Sequence, residues 1–371
     1  MRIAVLGAGM VGRAIALDLA KNFDVTSFDL NEQNLKVLKE KNAAIQTTVQ
    51  NLKELSAYDL FLRPFDLVVT AVPGFMGFNT LKRVIECGKN VADISFFSED
   101  ALHLDTLARE KNVTAIVDTG VAPGMSNFII GRYNEEIKID DFEIYVGGLP
   151  VHPKPPFRYK APFSPIDVIE EYTRPARLKE KGEIIIKQAL SDIELMEFEG
   201  VGTLEAFNTD GLRSLLFTMP HIPSQKEKTL RYPGHADLII ALQQSGFFDE
   251  EKILVDGKPI SPLDFTSKIL INQWKLEEKE EELTVMKVVL HGEGKTIEYN
   301  LLDYYDSSTQ TSSMARATGY TCSASVNLMI NNLFTKKGVF PPELVGNDKT
   351  CFDFVLNYLR ERNVIWEKKS P

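Results

Sequence analysis

Residues 3–12 read Ile3-Ala4-Val5-Leu6-Gly7-Ala8-Gly9-Met10-Val11-Gly12, a short apolar strand followed by a GxGxxG turn and an apolar helix. In such a turn the first glycine permits the sharp bend, the second lets the backbone approach a pyrophosphate, and the third lets the helix pack closely. The positive end of the helix dipole then faces the phosphates. The stretch predicts a dinucleotide-binding turn, with residues 7–12 as cofactor-binding residues.

An acidic residue stands where such a turn needs one. Asp29 ends the second predicted strand, 22 residues after Gly7. A carboxylate at this position accepts hydrogen bonds from both hydroxyls of the adenosine ribose. Leu30 and Asn31 follow, and no arginine is nearby to neutralise a 2′-phosphate. The cofactor is therefore predicted to be NAD rather than NADP, with residues 29–31 around its ribose.

The first 125 residues alternate between short apolar runs and amphipathic stretches. The apolar runs are Ile3–Leu6, Val25–Phe28, Leu67–Ala71, Val91–Ile94 and Thr114–Val117. Apolar strands between helices are typical of a parallel sheet covered on both faces, so the fold class is predicted to be α/β, a doubly wound Rossmann sheet.

Further candidate residues follow the predicted strands Leu67–Ala71 and Val91–Ile94. In a doubly wound sheet the carboxyl ends of the strands hold the ligand, which makes Val72, Pro73, Ser95 and Phe96 candidate cofactor-binding residues. Asp93 ends an otherwise apolar strand and must be solvated, paired or in contact with ligand. It is a candidate catalytic residue, and a cap or ion pair is the alternative.

The sequence changes character after Pro123. A strand pattern over Asp141–Gly147 leads into a proline-rich stretch, and Thr284–Leu290 with Thr296–Tyr304 reads as a hairpin. This change indicates a domain boundary after residue 124, in line with the two domains expected for 371 residues.

Composition excludes several classes of protein. The 42 Lys and Arg against 52 Asp and Glu give 42 − 52 = −10, which argues against nucleic acid or an anionic membrane as a partner. The three cysteines show no CxxC spacing and no histidine pair has metal-ligand spacing, so no metal site is predicted. The sequence shows no pattern typical of a signal peptide or a membrane span, and a cytoplasmic enzyme is expected.

Without a metal or a GxSxG elbow, the chemistry is assigned to the cofactor, and the protein supplies position and charge. Such an enzyme removes hydride from an alcohol or an amine carbon. Arg231 can bind a substrate carboxylate with two hydrogen bonds, or be a surface ion-pair residue. His235 can transfer protons near neutral pH, or be structural. Lys160 lies in the proline-rich stretch and is a third candidate.

Together these segments resemble the saccharopine dehydrogenase (reductase) family, and more closely its lysine 6-dehydrogenase-like branch. The resemblance covers nearly the whole chain and is carried by Gly7–Gly12, Val72–Gly74, Ser95–Phe97, Ala122–Asn127, Tyr145–Pro150, Tyr159–Lys160, Ser164–Pro165, Glu170–Pro175, Asp210–Arg213 and Thr229–His235. It implies a homo-oligomer with a Rossmann domain over residues 1–124, completed by a C-terminal segment over 315–371, and an α+β domain for substrate binding and oligomerisation over 125–314. It also implies that Leu230 and Arg231 hold a substrate carboxylate, while the turn containing Gly148 and the Phe163 ring line the pocket.

One departure bears on the substrate. Saccharopine reductases carry an aspartate where this chain has Ala122, and the lysine 6-dehydrogenase-like branch is similar to this sequence there. The resemblance therefore favours a single amino acid: NAD-dependent oxidation of the ε-amine of L-lysine to the 6-semialdehyde, which cyclises to piperideine-6-carboxylate, with release of ammonia.

In this hypothesis Asp93 or Asp210 pairs with the α-ammonium, and His235 or a water held by Lys160 is the base. The alternatives are saccharopine or carboxynorspermidine interconversion, and a catalytically idle NAD-binding regulator.

Overall fold

The computed structural model describes residues 1–277 and 279–369. In chain order its strands and helices are β1 (Arg2–Leu6), α1 (Met10–Leu19), β2 (Asp24–Asp29), α2 (Glu32–Lys41), β3 (Gln46–Val49), α3 (Tyr58–Leu62), β4 (Leu67–Thr70), α4 (Gly74–Glu86), β5 (Asn90–Asp93), α5 (Asp105–Glu110), β6 (Thr114–Ile116), α6 (Met125–Asn134), β7 (Asp141–Pro150), α7 (Pro165–Thr173), β8 (Ala176–Glu180), β9 (Glu183–Lys187), β10 (Glu194–Phe198), β11 (Gly202–Asn208), α8 (Leu215–Thr218), β12 (Ser224–Arg231), α9 (His235–Gln244), β13 (Ile253–Val255), β14 (Lys258–Ile260), α10 (Pro262–Trp274), β15 (Glu282–Gly292), β16 (Lys295–Tyr304), α11 (Ser313–Ile330), β17 (Gly338–Phe340), α12 (Pro342–Gly346), α13 (Lys349–Arg360) and β18 (Trp366–Lys369).

The first sheet, counted over the described residues, has seven parallel strands in the order β17-β6-β5-β4-β1-β2-β3. Its chain order reverses between β1 and β4, which is where a doubly wound sheet opens a crevice for ligand. The central strands are apolar because both faces are covered: β1 and β4 are buried from Ile3 to Leu6 and from Leu67 to Thr70. The predicted Rossmann sheet is confirmed.

The edge strand β3 has no apolar run and was not predicted. It reads Gln46-Thr47-Thr48-Val49 and is mostly exposed. An edge strand is paired on one side alone, so polar and β-branched residues suffice to form it. At the opposite edge β17, from the C-terminal part of the chain, pairs with β6.

The chain divides into two units. The first consists of Met1–Ile139, Arg213–Met219 and Met314–Trp366. It extends past residue 124, where the sequence analysis placed the boundary, because α6 packs on α12. A Cβ on Gly131 would lie 2.1 Å from the Glu343 carbonyl oxygen, so this contact between backbones requires glycine.

The second unit consists of Asp140–Leu212, Pro220–Ser313 and the described residues from Glu367 onward. Its mixed sheet runs β10-β11-β12-β7-β15-β16-β18, with β8 and β9 attached through β12. The β7–β12 pair is parallel and the β11–β12 pair antiparallel. The predicted hairpin is β15 and β16, joined at Gly292 and Lys295. This α+β unit agrees with the predicted fold class.

None of the helices within residues 1–277 and 279–369 is both long and apolar enough to cross a membrane.

Candidate active site

The turn between β1 and α1 has the steric requirements of a phosphate cradle. Gly7 adopts φ +108°, and a Cβ there would lie 2.2 Å from the Ala71 carbonyl oxygen. A Cβ on Gly12 would lie 2.2 Å from the Gly7 carbonyl oxygen, whereas a Cβ on Gly9 would meet no heavy atom within 4 Å. Gly9 therefore leaves open space at the N-terminus of α1, where backbone N–H groups can receive a pyrophosphate. These residues fit a dinucleotide.

Asp29 links this turn to the end of β2. Its carboxylate accepts hydrogen bonds from the backbone N–H groups of Ala8 and Asn31, both at 2.7 Å. Asn31 in turn caps α2 by accepting from the Gln33 N–H at 2.9 Å. The Leu30 side chain is exposed. The predicted ribose-binding residues are thus held together at the carboxyl end of β2.

The other predicted cofactor residues lie at the ends of β4 and β5. The Val72 N–H donates to the Ser95 hydroxyl at 3.4 Å, and Pro73 directly precedes α4. The Phe96 ring lies 4.8 Å from the Arg213 guanidinium, which also pairs with Asp118 at 3.0 Å. The structure therefore places these residues at the ligand-binding edge of the sheet.

Asp93 is buried at the end of β5. Its carboxylate accepts a hydrogen bond from the Thr70 hydroxyl. Burial raises the pKa of Asp93 to about 7; the Thr70 and Ser95 hydrogen bonds oppose this rise, and the Asp118 charge adds to it. Because Asp93 has no exposed surface, its predicted contact with ligand stays a prediction.

In the second unit Arg231 ends β12 and is buried. Its Nε–H donates to the Tyr172 hydroxyl at 2.8 Å, its Nη1 to the Leu230 carbonyl at 2.9 Å and its Nη2 to the Tyr159 hydroxyl at 3.3 Å. The guanidinium also lies 4.2 Å from the Tyr159 ring centroid. Three of the five N–H groups of Arg231 are thus used. The other two have no hydrogen-bond acceptor among the residues that the structure describes.

His235 begins α9, and both of its ring nitrogens are hydrogen-bonded. Nδ1 lies 2.9 Å from the Phe157 carbonyl oxygen and Nε2 lies 2.9 Å from the Tyr172 hydroxyl. Because a carbonyl can only accept, Nδ1 carries the proton and Nε2 accepts from Tyr172, whose oxygen accepts from Arg231. The hydrogen bonds therefore run in one direction, from Arg231 through Tyr172 and His235 to Phe157.

The environment of His235 keeps the ring neutral. Burial, together with the nearby Arg231 charge, lowers the pKa of His235 to about 3. To act as the predicted base, Nε2 would first have to give up its hydrogen bond to Tyr172. The contacts give His235 a positioning role, and its catalytic role stays a prediction.

Glu205 fixes the turn between Arg231 and α9. It lies opposite Arg231 in the β11–β12 pair, and its carboxylate accepts from the Gly234 N–H at 2.8 Å and the Ala236 N–H at 2.6 Å. A carboxylate suits this place because helix N-termini carry unpaired N–H groups and positive potential. Sequence reasoning missed Glu205, and also Tyr172, because their partners lie 29 and 59 residues away.

Two predicted polar residues have protein partners. Lys160 donates from Nζ to the Lys275 carbonyl at 3.1 Å and lies 3.6 Å from Glu280. Asp210 accepts from Arg177 Nε at 2.8 Å and from Arg177 Nη2 at 2.9 Å. Arg177 thus holds both carboxylate oxygens of Asp210, and the pairing of Asp210 with a substrate ammonium stays a prediction.

The remaining predicted substrate residues are apolar or lack a side chain. The Leu230 side chain is buried in a hydrophobic cluster with Tyr145 and Leu149, so it is the Leu230 carbonyl that reaches Arg231. Phe163 packs, partly buried, against the cluster around Tyr159. Gly148 lies within β7. None of these placements tests a contact with substrate.

Comparisons with known proteins agree with this architecture. The chain matches the family model of the saccharopine dehydrogenase NADP binding domain over residues 3–116. It matches the model of the saccharopine dehydrogenase C-terminal domain over residues 120–365. The apo saccharopine dehydrogenase (L-Glu forming) from Saccharomyces cerevisiae has a similar fold, with a TM-score of 0.78, 17% identity and 100% of both chains covered.

Two relatives with similar sequences are longer than this chain. The chain is 24% identical over 278 residues to the saccharopine dehydrogenase [NADP(+), L-glutamate-forming] of S. cerevisiae, covering 70% of this chain and 61% of that protein. It is 24% identical over 307 residues to the alpha-aminoadipic semialdehyde synthase of Arabidopsis thaliana, covering 72% of this chain and 29% of that protein. The chain thus spans less than a third of the length of that synthase.

Proposed function

The chain belongs to the saccharopine dehydrogenase family, and from this premise we propose that it is a nicotinamide-dinucleotide-dependent oxidoreductase acting on the amine of an amino acid. The finer proposal is oxidative deamination of the ε-amine of L-lysine. The observation that carries it is Arg231, a buried guanidinium held rigidly by tyrosine hydroxyls and left with two unused N–H donors. Such a group is suited to a substrate carboxylate.

The reaction converts L-lysine, NAD⁺ and water into the 6-semialdehyde, NADH, ammonium and a proton. The bound dinucleotide would accept the hydride lost from the ε-carbon, and Gly7, Gly9, Gly12 and Asp29 would hold it. The ε-amine must lose its proton before hydride can leave, so the site needs a base. A water held by Lys160 is one candidate. His235 is the other, once it has released Tyr172.

NAD is proposed over NADP because of Asp29. Its carboxylate stands at the end of β2, and residues 30–35 contain no lysine or arginine. A 2′-phosphate there would face a carboxylate without a cation to neutralise it. The matching family model is named for NADP binding, so rates with the two cofactors must be compared directly.

The size of the substrate separates lysine from saccharopine. Two of the proteins named above are saccharopine dehydrogenases, and this favours saccharopine as a second candidate substrate. Ala122 supports the smaller one, because its methyl group cannot pair with the secondary amine of a long two-acid substrate as the aspartate of the saccharopine reductases does.

The first test is NADH formation with L-lysine, saccharopine, ornithine or no substrate at mildly alkaline pH, with NAD and NADP in parallel. NADH and ammonia with lysine would support the proposal. Turnover of saccharopine alone would replace lysine by the second candidate. Cofactor binding without turnover of any amine would favour the idle regulator.

A further inference from the structure

Glu171, on α7, is a mostly buried carboxylate without a hydrogen-bond donor. Its side chain is 19% exposed, and its Oε2 lies 3.6 Å from Arg231 Nη2. It accepts no hydrogen bond from any residue in 1–277 or 279–369. The preceding residue differs: Glu170 pairs with Arg174 on the same helix at 2.9 Å. Buried carboxylates without donors are costly, so this one calls for an explanation.

Holding Arg231 in place does not explain Glu171. Charge-assisted hydrogen bonds between a guanidinium and a carboxylate span about 2.7–2.9 Å, and this pair is longer. The shorter bonds of Arg231 go to Tyr172 and to the Leu230 carbonyl. Burial raises the pKa of Glu171 to about 7, although the Arg231 charge opposes that rise. Arg231 and Glu171 thus stand side by side with unused donors and unused acceptors.

An α-amino acid presents the complementary groups. Its carboxylate and its ammonium are carried by one carbon, so a site for this head group needs a donor and an acceptor a few ångströms apart that are not saturated by each other. The two acids suggested by the sequence do not meet this need. Arg177 holds Asp210, and Asp93 is buried in the first unit.

We propose that Glu171 binds the α-ammonium of the substrate beside the α-carboxylate held by Arg231, and so makes the site select α-amino acids over simple carboxylic acids. The proposal rests on the proposed function for the role of Arg231. It makes Glu171 a specificity-determining residue and assigns it no part in hydride or proton transfer.

The test pairs ligands that differ in the α-ammonium alone. L-lysine and 6-aminohexanoate are compared as substrates, and L-norleucine and hexanoate as binding ligands in calorimetry. The variants are Glu171→Gln and, as a matched control one residue away, Glu170→Gln. In the wild type and in Glu170→Gln the α-amino acid of each pair is favoured by about 10- to 100-fold, the range for a charge-assisted hydrogen bond.

In Glu171→Gln both preferences fall to within a few-fold of unity, and the values for 6-aminohexanoate and hexanoate stay near those of the wild type. An unchanged preference for norleucine over hexanoate in Glu171→Gln overturns the proposal. If lysine is not oxidised but norleucine binding depends on Glu171, the proposed reaction fails while the head-group site stands. A second variant, Glu171→Asp, keeps the charge and is expected to keep part of the preference.

A further measurement uses the wild type alone and therefore does not depend on whether a variant folds. Because the pKa of Glu171 lies at about 7, the preference for norleucine over hexanoate increases between about pH 6 and about pH 8. A wild type that shows no preference for norleucine over hexanoate anywhere in this range contradicts the proposal. The charged and titratable groups around Glu171 are Arg231, Glu227, Asp167, Arg174, Tyr159 and Tyr172.

Discussion

Removing the Tyr172 hydroxyl tests whether hydrogen bonds hold Arg231 in place. Tyr172 is fully buried, and its ring packs edge-on against Trp274 and Phe207. In Tyr172→Phe these ring contacts remain, and the hydroxyl alone is lost. The change leaves the Nε–H of Arg231 without an acceptor and the Nε2 of His235 without a donor.

The cost follows from these two bonds. A hydrogen bond to a charged group contributes about 1.5–3 kcal/mol and a neutral one about 1 kcal/mol. Arg231 is 3% exposed and His235 1%, so water cannot readily replace the hydroxyl. The free energy of unfolding is therefore expected to fall by about 2.5–4 kcal/mol, and kcat/KM for the amine substrate should fall as well because the guanidinium is no longer fixed.

Differential scanning calorimetry of the wild type and the variant measures the effect as a change in transition temperature and enthalpy. The matched control is Tyr145→Phe, which also removes one tyrosine hydroxyl. That hydroxyl donates to the Glu143 carboxylate at 3.0 Å, but the Glu143 side chain is 33% exposed. Water can therefore replace the lost hydroxyl, and the loss should be about 1 kcal/mol or less. If Tyr172→Phe costs no more than Tyr145→Phe, the Arg231–Tyr172–His235 chain does not stabilise the site and the reasoning is refuted.

Three further outcomes are expected. Arg231→Ala should cost about 2–4 kcal/mol of transition-state binding, roughly a 30- to 700-fold loss in kcat/KM; a wild-type value would show that the carboxylate binds elsewhere. Gly12→Ala should lower both thermal stability and dinucleotide affinity, whereas Gly9→Ala, with no atom within 4 Å of the new Cβ, should lower affinity alone; wild-type affinity of Gly9→Ala would contradict the pyrophosphate placement. The pKa of Asp93 is raised to about 7 in the folded protein. The free energy of unfolding of the wild type should therefore fall relative to that of Asp93→Asn as pH rises from about 5 to about 8. Unfolding free energies that stay parallel over this range would argue against a neutral Asp93.

The Rossmann part of the fold could be predicted from the sequence because it depends on short-range patterns. The apolar runs before Gly7 and Asp29 are buried on both faces of the sheet, so their composition alone identifies them as strands. The steric limit at Gly12 is local, because a Cβ there would meet Gly7, whereas the limit at Gly7 comes from Ala71 at the end of β4. The strand Gln46–Val49 could not be predicted from an apolar run, because an edge strand needs none.

The candidate residues around Arg231 could be predicted in part. Arg231 and His235 follow one another in one segment, and their residue types suit carboxylate binding and proton transfer. Their surroundings depend on residues far away in sequence, since Tyr172 lies 59 residues from Arg231 and 63 from His235. Those contacts bury the His235 ring and lower its pKa, so that the ring is neutral.

The sequence by itself determined the dinucleotide cradle and the parallel sheet, and it identified Arg231 as a candidate for carboxylate binding, because each depends on neighbouring residues and their spacing. Which acid already has a hydrogen-bond donor was decided by the tertiary structure alone. Asp210 and Glu171 are both acidic residues, and residue type alone does not distinguish their surroundings. In the folded chain Asp210 lies against Arg177, whereas Glu171 lies beside Arg231 without a hydrogen-bond donor. The charge state and availability of a buried carboxylate depend on which side chains surround it, and that is fixed only when distant segments pack together.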